Sequence, residues 1–155
     1  MKQTVQMDKI QASMRRGVIT LEGFLGTDTR KLVDILIDDD AEVRRLGMSH
    51  EAIARRMLEL KQAGEAGLGE FVTVGEQLEV KVDAVRGKLP CPFGDPGIFG
   101  KVNTTVRNKK TKKEVTYTDL HIHMIWAHGF YEGKGSRFRL EPAELIDILE
   151  VKTDE

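Results

Sequence analysis

The sequence predicts an α+β fold, in which an N-terminal strand and helices pack with an antiparallel C-terminal β-sheet plus one His-rich helix. Two observations carry that expectation. Apolar residues recur mostly at helical spacing up to Gly64, then alternate at period two from Phe71 onward. Helix and strand signals are therefore segregated along the chain, which argues against a parallel α/β sheet. With 155 residues the chain can bury one real core. One domain over 1–155 is expected, helical over about 18–64 and β-rich over about 70–151, with 1–17 loosely held.

Met7, Ile10 and Met14 share a helical face, and Gly17 can end that helix after Arg15 and Arg16. Only three apolar residues hold it, so a frayed terminus is the alternative. Val18–Leu25 reads as a strand: Ile19, Leu21 and Leu25 share one side, Gly23 leaves room for close packing, and Gly26 breaks it. Thr27 or Asp28 can cap a helix with Leu32, Ile35 and Leu36 inward. Asp38, Asp39 and Asp40 interrupt that pattern. Asp39 with Glu42 resembles a capping box, which predicts a new short helix carrying Val43 and Leu46 to a stop at Gly47. Ser49 is a good cap for the next helix, with Ile53, Met57 and Leu60 buried.

FVTV from Phe71 is a short strand, Gly75-Glu76 a turn, and Leu78 to Val85 a second strand. Gly87–Gly100 contains three of the four prolines and reads as a long, stiff loop. Val102–Arg107 and Glu114–Thr118 pair as a hairpin around NKKTKK. Thr118 or Asp119 caps a helix from Leu120 to His128 that Gly129 terminates. Arg137–Leu140 is a short strand, and Pro142 opens a last helix with Leu145, Ile146 and Leu149 inward.

The charge balance, 24 basic against 25 acidic residues, gives no general attraction for nucleic acid or acidic lipid, although a local patch can still bind. One cysteine, Cys91, allows no intrachain disulfide and fits a cytoplasmic location. MKQTVQMDKIQASMRR lacks the apolar stretch of a secretory signal, and no apolar run approaches a membrane span, so no membrane partner is expected. Sheet edges leave room for a homo-oligomer.

The stretch Thr116–Phe138 gathers three of the four histidines, the single tryptophan and both tyrosines. On a helix, His121 and His128 share a face about 10 Å apart, too far for one ion, and His123 points away. On a strand, His121 and His123 would share a side and chelate. H-x-H followed by His128 resembles the metal motif of the cupins, with His128 where that motif has glutamate and without its upstream glycine. The residues that would hold a divalent metal such as zinc are His121, His123, His128 and Cys91. Cys91 is also a candidate nucleophile with a histidine base. The helix caps favour the helical form, which separates His121 from His123.

Val43–Met57 (VRRLGMSHEAIARRM) resembles a helix-turn-helix, with Gly47 at the turn and Ser49 capping the second helix. The resemblance implies that His50, Arg55 and Arg56 face a major groove. Arg107, Lys109, Lys110, Lys112 and Lys113 on the hairpin would then track phosphates. Asp38, Asp39, Asp40 and Glu42 oppose this by repelling phosphate. Finally, the turn from His128 to Arg139 can cradle a ligand through His128, Tyr131, Lys134, Ser136, Arg137 and Arg139. Two functional classes follow. One is a non-enzymatic binding or regulatory module that contacts nucleic acid. The other is a metal-binding protein or enzyme built on the histidines with Cys91.

Overall fold

The computed structural model describes residues 2–153, and the fold is α+β as expected. Three helices come first: α1 (Val5–Ser13), α2 (Leu32–Arg45) and α3 (His50–Glu65). The strands β1 (Val72–Val74), β2 (Leu78–Pro90), β3 (Ile98–Asn108) and β4 (Lys113–Thr118) follow, then α4 (Asp119–His128) and α5 (Pro142–Leu149). The strands form one antiparallel meander in the order β1-β2-β3-β4. Alternation sorts its faces. Leu78, Val80, Val106 and Tyr117 point inward and are fully buried, while Arg107 pairs with Glu114 on the opposite face.

The inward face packs on Ile53, Met57 and Leu60 of α3 and on Leu145, Ile148 and Leu149 of α5. Two polar side chains at this seam find partners. Tyr117 donates its hydroxyl hydrogen to the carbonyl of Met57 at 2.7 Å, and Asn108 donates to Ile148 at 3.0 Å. A second apolar cluster joins Met14, Phe24, Leu32, Ile35 and Cys91 to Leu120, Met124 and Phe130. Helix α4 is the wall between the two, since its Ile125 belongs to the first cluster and its Met124 to the second. No helix is long and apolar enough to cross a membrane among the described residues.

Four local expectations change. Val18–Leu25 is irregular rather than a strand. Gly17 folds back on Thr20 through a 2.8 Å backbone bond, and Gly23 takes a φ of 71° where a Cβ would lie 2.7 Å from the Met14 carbonyl. Helix α2 runs unbroken through Asp38–Asp40, because each carboxylate meets a cation: Arg30, Arg139 and Arg44 respectively. Its start is capped from the N-terminal segment, with Gln11 of α1 accepting from the Leu32 N–H and Gln3, ahead of α1, from the Val33 N–H, both at 2.9 Å. Much of the expected loop 87–100 is strand, since β2 and β3 pair out to Pro90 and Ile98 past an irregularity between Ala84 and Lys88. Arg137–Leu140 forms no strand.

Candidate metal centre

The outer end of the β2–β3 hairpin is the segment 91–97, CPFGDPG. Pro92 fixes the first bend, and Gly94 donates its N–H to the Cys91 carbonyl at 3.0 Å, closing a turn. That turn brings Asp95 back beside Cys91, with Oδ2 3.6 Å from Sγ. Ser13, at the end of α1, donates to the Pro92 carbonyl at 3.0 Å and seats the loop on the second cluster.

Helix α4 supplies the other half. Thr118 caps it, accepting from the His121 N–H, and Gly129 ends it at a φ of 63°. His123 Nε2 and His128 Nε2 both reach Asp95 Oδ2, at 2.7 and 2.5 Å. Cys91 Sγ lies 3.8 Å from His128 Nε2. One atom each from Cys91, Asp95, His123 and His128 thus falls within 4.8 Å of every other. Aromatic rings hold the imidazoles in place. Phe93 stacks on His128 with centroids 3.9 Å apart, and Phe99 tilts over His123 at 4.5 Å.

The donors suit zinc or a similar ion, being one sulfur, two imidazole nitrogens and one carboxylate oxygen. Bonds of about 2.0–2.3 Å place tetrahedral ligand atoms roughly 3.4 Å apart, so the Asp95 oxygen would need to withdraw from the two histidines by about 1 Å. Charge closes as well: a thiolate and a carboxylate balance a divalent ion, and neutral imidazoles complete it. Without such an ion, the hydrogen bond from His128, and then that from His123, holds the Asp95 carboxyl below its ordinary range. Burial pushes the Cys91 thiol up, so it rests protonated.

His121 stands outside this group, a correction to the set His121, His123, His128 and Cys91. Its Nδ1 accepts the Thr118 N–H at 3.0 Å, so its Nε2 carries the hydrogen and donates to Glu132 Oε2 at 2.6 Å. Both side chains are almost fully buried. His123 and His128 meet although five helical residues place them about 140° apart, because imidazoles are long and His128 sits on the last turn. Asp95 was missed because its contribution depends on the hairpin end folding over α4. The signal that could have found it is C-x-x-x-D inside a proline- and glycine-bent loop.

The other candidates lie elsewhere. His50 is turned inward, bonded through Nδ1 to the Tyr131 hydroxyl at 2.8 Å and through Nε2 to Asp40 at 3.0 Å. Arg56 donates to the Leu149 carbonyl at 2.8 Å, and Arg55 is exposed. Arg107 pairs with Glu114, Lys113 reaches Glu144, and Lys109, Lys110 and Lys112 are exposed around the hairpin tip. The closest packing of α3 is with α4 and β2, and that of α2 is with α5 and α1.

The 128–139 turn is not an open cradle, because the protein's own carboxylates fill it. Lys134 gives its backbone N–H to Asp28, Ser136 donates to Glu132 at 2.8 Å, and Arg139 forks onto Asp39 at 2.8 and 3.0 Å. Tyr131 is buried, and Arg137 lies over the Phe138 ring. Compared with known protein families, curated proteins and solved structures, the chain matches none of them.

Proposed function

We propose that this is a metal-binding protein whose Cys91, Asp95, His123 and His128 hold one zinc-class divalent ion. The observation that carries the reading is the convergence of four chemically suitable donor atoms within 4.8 Å from two segments distant in sequence. Four protein ligands leave no vacant position on a tetrahedral ion, which favours a structural role over hydrolytic catalysis. The ion would fasten the end of the β2–β3 hairpin to α4. A reducing compartment such as the cytoplasm would keep Cys91 available as a thiolate ligand.

The test is metal content of untagged protein, followed by uptake of cobalt. About one zinc per chain is expected, with cobalt giving tetrahedral visible bands and a thiolate charge-transfer band that C91S abolishes. Protein that carries no stoichiometric metal and takes up neither zinc nor cobalt on dialysis would overturn the proposal. Nucleic-acid contact is the weaker reading. It has the exposed Lys109, Lys110 and Lys112 for phosphates, but His50 is withdrawn from the face of α3 that would read bases. Salt-dependent binding of a labelled duplex would support it.

A further inference from the structure

A second site lies against the first turns of α4. A pocket of about 380 Å³ opens between the irregular segment 20–24, the β2–β3 hairpin and α4. Leu89, Phe24, Leu120 and Met124 form apolar walls, and His121 and Glu132 contribute its polar end. The rim is unusual for a surface. Leu21, Val85 and Phe138 are 82%, 53% and 46% exposed, and all three line this one opening. Large apolar side chains gathered at the mouth of a pocket of this volume mark a ligand site rather than ordinary surface.

Glu132 sets the ligand's charge. Its side chain is 4% exposed. Its oxygens meet His121 Nε2 and Ser136 Oγ. His121 presents Nε2 to that carboxylate, while its Nδ1 is taken by the Thr118 N–H. A buried carboxylate at the end of an apolar pocket favours a cationic partner over a neutral or anionic one. Glu132 also holds a φ of 72°, in the left-handed region that non-glycine residues rarely adopt. Arg139 fixes it there by donating to its carbonyl at 2.6 Å. Backbone strain of this kind, at a residue that lines a cavity, clusters at binding sites. Glu22 and Lys101 on the walls carry opposite charges, so the sign is decided at the floor.

We infer that this pocket binds a compact organic cation: an apolar body, seated among Leu89, Phe24 and Met124, that carries a primary ammonium toward Glu132. The site is independent of the metal reading. Calorimetric titration of the full chain as purified, with 4-phenylbutylamine, 4-phenylbutanol and 4-phenylbutyrate, tests it. These probes share one shape and differ in charge. The amine is expected to bind saturably, at least about tenfold tighter than the alcohol, with the carboxylate weakest. E132Q should erase the amine's advantage and leave the alcohol unaffected. F138A, at the half-exposed rim, should weaken the amine and the alcohol alike. If E132Q does not fold, the ranking on the native chain and F138A still decide. No saturable amine binding, an alcohol or carboxylate that binds as tightly as the amine, or an amine affinity unmoved by F138A would sink the inference. Each of these results leaves the zinc measurement untouched.

Discussion

Helix α4 carries two separate imidazole–carboxylate groups, and they are built for opposite ends. His121 meets Glu132 at 2.6 Å, and His123 and His128 meet Asp95 at 2.7 and 2.5 Å, so distance does not separate them. Surroundings do. The His121 pair is sealed, and its second ring nitrogen is spent on the helix cap. The Asp95 group is partly open, its two rings converge on one oxygen, and a thiol stands beside it. An imidazole committed at both nitrogens has no lone pair left for an ion. Two imidazoles aimed at one point can trade their protons for a metal ion.

The largest expected effect falls on the sealed side. R139A strands Asp39 without its buried partner and should cost about 3–5 kcal/mol in urea unfolding. The folded fraction should nevertheless still take up zinc, because no metal donor touches Arg139. Next is metal removal. With zinc about a hundredfold above its dissociation constant, EDTA should lower stability by about 2.7 kcal/mol. D95A should lose that sensitivity and E132Q should keep it. Reversal of the last two results would mean that the two sides had been assigned the wrong way round.

Acid should act on the sealed side through Asp28. The side-chain hydrogen bond from Arg30 lowers its pKa from 3.8 to about 2, and the carboxylate also accepts the Lys134 N–H beside Ser136. A depressed carboxyl pKa contributes stability that is complete above the unfolded value. That contribution should fade as pH falls from about 4 toward 2. D28N should remove about 1–2 kcal/mol at neutral pH and flatten this acid limb. The smallest effect is T118A, which removes the cap of α4 at about 1 kcal/mol without changing zinc stoichiometry.

Much of the fold was legible because it rests on local chemistry. Ser49 and Thr118 cap the helices they were expected to cap, and the hairpin around the lysine tip pairs from Asn103 with Thr118 to Asn108 with Lys113. Misreadings came where distant partners override a local rule. Asp38, Asp39 and Asp40 look like a break until Arg30, Arg139 and Arg44 arrive. Val18–Leu25 has strand periodicity, but glycines at positive φ fold it into a loop. The site was legible in part. Cys91, His123 and His128 were singled out, yet helical spacing alone separated the two histidines. Asp95 left only the trace of C-x-x-x-D in a bent loop, and Glu132 emerged only once the chain had folded.

The irregularity between Ala84 and Lys88 gives the β2–β3 hairpin a joint. Inside it the strands are clamped under α3 and α4; outside it only the pairs Lys88–Gly100, Leu89–Phe99 and Pro90–Ile98 remain. The outer arm is latched to α4 through Asp95. The same arm supplies Leu89 to the pocket, and the joint itself supplies Val85 and Lys101. If both sites bind as proposed, they share one hairpin, and linkage then makes any influence between them mutual. Whatever factor zinc changes the amine's affinity by, the amine must change zinc's affinity by the same factor.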